Sequence, residues 1–284
     1  MIGSVAGPGP RLAYERWQGG SGPALVLVHG GAHNLRVWDR TISGLTGIGP
    51  VIAYDLRGHG GSEGDGDQSL ATHAADLGRV VDHLALRRPV IVGHSFGASI
   101  ALTYANTVGS CRALVLLDAL VRGMAATYHT SAADVASSLD AHSRFTGDDA
   151  SADAWIERSV AMEPPEQRPV WKAVARRSLL RHAGRAAERP SREEVLALIE
   201  AQFGWTPEEM WEELTVPALL LLARTGEPPP AGPDEELRHS AVRRLARRPG
   251  VRVTWIDSDH NLPACRSAEV VAAITGWLST TPAR

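Results

Sequence analysis

Cysteine is nearly absent from this chain, which carries only Cys111 and Cys265. Two cysteines cannot build a disulfide framework, and neither stands in a metal-ligand spacing, so no metal or cofactor is implied and a reducing compartment is expected. Lysine is rarer still, with Lys172 the single lysine among 29 basic side chains. Any excess of positive charge is also missing. The formal net charge of -3 gives no basis for nucleic acid or an anionic membrane as a partner. No apolar run approaches the length of a membrane span, and Met1 to Pro10 lacks a basic segment followed by an apolar one. A cytoplasmic protein acting on a small-molecule substrate is therefore expected. Oligomeric state is not legible.

What the chain does contain is a succession of short apolar runs, each closed by a polar or glycine-rich turn. Leu12, Tyr14 and Arg16-Trp17 alternate as an opening strand should, and Gly19-Gly20-Ser21-Gly22-Pro23 ends it. Ala24 to Val28, Pro50 to Tyr54, Pro89 to Val92, Arg112 to Leu117 and Pro217 to Ala223 run without alternation, as strands covered on both faces of a parallel sheet do. Val251 to Ile256 is the last strand. Helical segments lie between them, about Leu35 to Leu45, Thr72 to Leu86, the stretch up to Val108, Asp234 to Arg248 and Ala268 to Leu278. This alternation predicts an α/β fold with a mostly parallel, doubly wound sheet and right-handed crossovers. From Val121 to about Leu214 the strand pattern stops. Capping signals replace it, at Ser131 with Asp134, Ser151 before Trp155-Ile156, Ser191 with Glu194 and Thr206-Pro207 with Glu209. The expected division is a core of residues 1–120 and 215–284 with a helical insertion at 121–214.

One junction organises the rest. Pro89-Val90-Ile91-Val92 runs into Gly93-His94-Ser95-Phe96-Gly97 and then Ala98-Ser99-Ile100-Ala101-Leu102, a strand, a sharp turn and a helix. Small residues on both flanks let the chain turn so tightly that the Ser95 hydroxyl stands at the strand's C-terminal edge. An unassisted serine is a poor nucleophile near neutral pH, so it needs a base in reach and an acid to orient that base. Of the eleven histidines, His260 alone lies in the turn after the last strand, Asp257-Ser258-Asp259-His260-Asn261-Leu262-Pro263.

On these residues, together with His29-Gly30-Gly31-Ala32-His33 and Asp55-Leu56-Arg57-Gly58-His59-Gly60-Gly61-Ser62, the chain resembles the α/β-hydrolase superfamily from Leu25 to the C-terminal helix. The resemblance implies the α/β-hydrolase fold with an inserted helical cap, and an oxyanion hole built from the backbone N–H groups of Gly31 and Phe96. It also implies that the loop at 55–62 braces the sheet edge. In most relatives the acid follows the strand that here is Pro217 to Ala223, but after Gly226 come Glu227 and three prolines. Some branches carry it at the end of the strand after the nucleophile helix, where Asp118 stands. Asp118 is the first candidate, Glu227 the alternative and Asp234 the third; capping of the following segment is the competing use of Asp118. His94 is expected to point away from the site. His33, Trp155 and Trp205 are candidate substrate contacts, although Trp155, Trp171, Phe203, Trp205 and Trp211 equally suit the core of a small helical unit.

Gly58 and Gly60 do not make a dinucleotide fingerprint, because Glu63 replaces the third glycine and no helix starts there. The expected function is that of a serine hydrolase cleaving a carboxylic ester, lactone or thioester of a small apolar molecule through a Ser-His-Asp triad. A serine at the elbow argues against the dehalogenase and epoxide-hydrolase branches, whose members carry aspartate there. The alternatives are carbon–carbon bond hydrolysis, non-hydrolytic chemistry on the same scaffold (acyl transfer, cyclisation or lyase chemistry) and a catalytically silent binding protein.

Overall fold

The structure is a computed structural model that describes residues 1–128, 130–139, 144–224 and 233–281. The chain opens with β1 (Ile2–Val5), β2 (Leu12–Trp17) and β3 (Leu25–Val28), then a 3-10 turn at Leu35–Trp38 and α1 (Asp39–Leu45). Next come β4 (Val51–Tyr54), α2 (Leu70–His83), β5 (Val90–His94), α3 (Phe96–Thr107) and β6 (Ala113–Leu117). The inserted segment holds α4 (Met124–Tyr128), α5 (Ala132–Leu139), β7 (Thr146–Asp148), α6 (Asp149–Ser159), α7 (Arg168–Ser178), β8 (Leu179–His182), β9 (Arg185–Glu188), α8 (Arg192–Phe203) and α9 (Pro207–Glu213). The chain then returns through β10 (Ala218–Arg224), α10 (Pro233–Ala246), β11 (Val251–Asp257), α11 (Leu262–Cys265) and α12 (Ser267–Thr280).

Eight strands form one sheet in the order β1-β2-β4-β3-β5-β6-β10-β11. The pairs β1/β2 and β2/β4 are antiparallel, and the pairs from β4 to β11 are parallel. Each apolar run feeds both faces. Val26, Val28, Ile91, Leu114, Leu116, Leu220 and Leu222 pack with α2, α3 and α10 on one side, while Leu25, Leu27, Val90, Val92, Val115, Leu219 and Leu221 pack with α1 and α12 on the other. Burial on both faces is why these strands read as continuous apolar runs.

Two elements went unsignalled. β1 lies in the Gly- and Pro-rich start of the chain and is a four-residue edge strand, held by its pairing to β2 rather than by a strong apolar pattern. The insertion contains a three-stranded antiparallel sheet, β7-β9-β8, beside its helices. Those strands are three or four residues long, rich in arginine and alanine, and β8 and β9 turn at Ala183-Gly184, both at positive φ, instead of the Asn-Gly that marks such hairpins in sequence. The capping box at Ser191 and Glu194 is formed as the spacing predicts. The α6 cap is Asp148, which accepts from the Ser151 backbone, rather than Ser151 itself.

Polar stitches fasten the insertion to the core. Arg177 of α7 reaches the buried carboxylate of Asp55 at 2.7 Å. Asn34 donates to the carbonyl of Val174 and to Ser178 Oγ, and Arg189 donates to the carbonyl of Ser62. Asp55 in turn accepts from the backbone of Leu35 and Gly61, so the loop at 55–62 braces the sheet edge. Arg57, itself buried, pairs with buried Asp76 at 2.7 Å. Among the described residues no helix is long and apolar enough to cross a membrane.

Histidines complete this brace. His29 Nδ1 donates to the carbonyl of Gly30 while its Nε2 accepts from Leu56, and His59 Nδ1 donates to the carbonyl of Arg57. Both rings are fully buried, and burial holds both near 3. Burial pushes His73 and His94 in the same direction. In the unfolded chain a histidine takes up a proton below about 6.5, so between about 6.5 and 3 the unfolded state binds more protons than the native one. Stability is therefore complete above that window and falls as the pH drops through it, by roughly 1.4 kcal/mol per pH unit for each such histidine. Melting temperatures measured at pH 7.5, 6 and 5 are expected to fall steeply below 6.5; a flat profile would contradict the neutral-histidine brace.

Candidate active site

Ser95 sits between β5 and α3 with φ 53° and ψ -119°, in left-handed space that a non-glycine residue adopts at a cost of about 1–3 kcal/mol. The glycines two positions away on either side permit this because they have no side chains. A Cβ on Gly93 would collide with the carbonyl of Gly97, and one on Gly97 would collide with the carbonyl of Val28. The helix therefore starts directly over β3. Ser95 is partly exposed although β5 and most of α3 are buried.

A carboxylate stands just past the end of the next strand. Asp118 follows β6 and also has positive φ, 45°. The two turns are tied together, since Ser95 N–H donates to the carbonyl of Leu117 and Asp118 N–H donates to the carbonyl of Leu221. Because β5, β6, β10 and β11 are adjacent in the sheet and point the same way, their C-terminal ends deliver Ser95, Asp118 and the turn holding His260 to one edge. There His260 Nδ1 lies 2.7 Å from Asp118 Oδ2. The other carboxylate oxygen accepts from the Ala223 backbone at 3.1 Å and from Arg238 at 3.2 Å. Asp118 thus serves as the histidine's partner instead of merely capping a turn. Glu227 lies outside the described residues, as does the side chain of Asp234.

His94 does not point away. Its Nε2 donates to the carbonyl of His260 at 2.8 Å and its ring lies 4.9 Å from that of His260, so the residue inside the elbow fastens the turn that holds His260. Among the described residues no hydrogen bond joins Ser95 Oγ to His260, whose described side-chain bond goes to Asp118; in such sites the serine–histidine contact tightens when substrate binds. A Cβ at Gly30 would stand 3.1 Å from Ser95 Cβ, which places the 29–33 loop against the serine, and one at Gly31 would stand 3.1 Å from Leu198 of α8. Phe96 is the first residue of α3, and its N–H is one of the donors a helix cannot satisfy internally.

A pocket of about 220 Å³ opens on this edge, lined by Ser95, Asp118, Ala119, Leu120, Val121, Met124, Gln202, Arg238 and His260. None of the three sequence-based contacts is among the described residues lining this pocket, although His33 lies in the loop packed against Ser95. Trp155 stacks on Phe145 at 5.4 Å within the small core of the insertion. Trp205 packs against the main core. His33 is half-buried, stacked on His94 and near Trp171, and burial together with the nearby His260 holds it near 4. Aromatic size signals burial without saying against what, whereas the residues that line the pocket are ordinary aliphatics following Asp118, one glutamine and one arginine of a helix rich in arginine. Nothing in their local pattern marks them.

A family model described as "Alpha/beta hydrolase family" matches residues 25–273. The chain belongs to this family. Among curated proteins, an esterase and a lipase of Mycobacterium tuberculosis are 39% and 38% identical to it over 113 and 112 residues, which is 38% and 39% of this chain and 36% and 42% of those proteins. The chain spans between 26% and 42% of the length of the curated relatives it matches. A solved E-2-(acetamidomethylene)succinate hydrolase superposes with a TM-score of 0.77 at 20% identity, covering 99% of both chains. The enol-lactonase of Burkholderia xenovorans gives 0.71 at 20% identity, covering 98% of this chain and all of that one. At that identity the likeness shows the alpha/beta hydrolase fold.

Because the atoms facing Gly97 are backbone oxygens that cannot swing aside, Gly97→Ala is expected to cost about 2 kcal/mol or more. Urea denaturation followed by circular dichroism reads this directly. A midpoint equal to that of the parent would mean the elbow is looser than described.

Proposed function

We propose that this chain is a serine hydrolase cleaving a carboxylic ester, lactone or thioester of a small, mainly apolar molecule. In this reading His260 Nε2 takes the proton of Ser95 as Oγ attacks the carbonyl carbon, and Asp118, which accepts from Nδ1–H, stabilises the imidazolium that forms. The N–H groups of Gly31 and Phe96 stabilise the oxyanion, each donor contributing about 2.7–4 kcal/mol in comparable sites. The tetrahedral adduct collapses as His260 returns the proton to the leaving group. Water activated by the same histidine then releases the acyl group. Residues 121–214 act as the cap over the core of 1–120 and 215–284, with Leu198 and Gln202 of α8 reaching the site.

The observation that supports this most is the 2.7 Å bond between His260 and Asp118 beside a pocket that Ser95 also lines. At about 220 Å³ the pocket is smaller than the roughly 300–1,000 Å³ usual for drug-sized ligands, which favours a short acyl group.

A series of p-nitrophenyl esters of increasing acyl length tests the proposal. Short-chain esters are expected to turn over faster than long ones, Ser95→Ala to abolish turnover, and Asp118→Asn to lower kcat by roughly 10⁴-fold. Glu227→Gln is expected to stay within a few-fold of the parent. Loss of activity in the Glu227 variant with retention in Asp118→Asn would move the acid to the other strand. Absence of turnover on every ester would favour cyclase or lyase chemistry.

A further inference from the structure

Hydrolysis of a neutral ester gives no use for one group in the pocket. Arg238 lines this pocket together with Gln202 of α8, and among the described lining residues it is the only permanent cation. Among the described residues, two contacts hold it. Its Nη2 lies 3.2 Å from Asp118 Oδ1, and its guanidinium carbon sits 5.5 Å from the centre of the Trp255 ring. Neither contact occupies the whole group, since a guanidinium carries five N–H donors in a fixed fork. Its side chain remains 29% exposed.

As a support for the acid, Arg238 is redundant and costly. Asp118 Oδ1 already accepts from the Ala223 backbone, and Oδ2 holds His260. A positive charge against the carboxylate offsets the negative charge that is to stabilise His260 as it gains a proton, so on electrostatic grounds it slows the attack. An anion seated on the remaining donors removes that opposition and is fixed bidentately by the same fork. The other walls, Ala119, Leu120, Val121 and Met124, suit a short methylene chain.

Resting on the hydrolase reading above, we propose that Arg238 anchors a carboxylate at the far end of the acyl group, so that the preferred substrates are half-esters or lactones of short dicarboxylic acids. Arg238 is in this account a specificity-determining residue. The apolar wall carries the chain and the guanidinium selects its end group.

The test compares monomethyl glutarate with its neutral isostere methyl pentanoate, with acid release followed by pH indicator. The parent is expected to favour the glutarate ester by ten- to hundredfold in kcat/KM, less so as salt is raised. Arg238→Gln is expected to bring the ratio near one, and Arg238→Lys to keep part of the preference. If Arg238 only held Asp118, both esters would decline together and the ratio would survive, which would overturn the proposal, as would a parent without preference. If the Gln variant does not fold, the parent ratio and the Lys variant still decide. If neither ester turns over, the hydrolase reading fails, and calorimetry with glutarate against glutaramide decides the anchor separately. Glutarate binding to the parent, lost in Arg238→Gln, sustains it; equal or absent binding rejects it.

Discussion

The left-handed turn at Ser95 is the constraint on which the remaining structure depends. A serine with φ 53° is held there only because the chain on either side can pass within contact distance of other backbone, at Gly93 against Gly97 and at Gly97 against Val28. That close approach sets α3 directly over β3, and it brings the 29–33 loop against Ser95. The energy that keeps a strained residue in place comes from its surroundings, here two buried strands and a buried helix that would have to separate before the turn could relax.

From the turn outward, the site is assembled by strand adjacency. β6 lies beside β5, so an aspartate one residue past its end is a neighbour of Ser95, and β10 beside β6 supplies the Ala223 N–H that fixes one carboxylate oxygen. β11 is one strand further and needs a turn to reach back. His94 makes that reach firm by donating to the carbonyl of His260 from inside the elbow. The buried histidines at 29, 59 and 73 stabilise the loops beneath, each kept neutral by burial and usable as a directional hydrogen-bonding group.

Much of this was legible in the sequence, and the divisions have physical causes. Strands covered on both faces declare themselves as apolar runs, and an elbow needs small residues at fixed positions, so the sheet and the Ser95 turn could be read directly. Asp118 became a candidate only through the resemblance to branches that carry an acid after this strand, and the contact of its carboxylate with His260 depends on the tertiary fold. The small sheet of the insertion was hidden, since strands of three or four residues rich in arginine leave no period to detect. The residues lining the pocket left no local signal for a different reason. Trp155 and Trp205 bury their rings against their own surroundings, while Leu120, Met124, Gln202 and Arg238 come together only through the tertiary fold. The direction of His94 depended equally on a turn far along the chain.

The central claim is that Ser95 is a nucleophile activated by His260, and its most direct measurement is covalent labelling by a serine-directed fluorophosphonate, mapped by mass spectrometry. The account predicts a single adduct on the peptide containing Ser95 in the parent, formed at least a hundredfold more slowly in His260→Ala, in keeping with the ~10²–10⁴-fold contribution of a general base. No adduct on Ser95, or labelling at the same rate without His260, would contradict it.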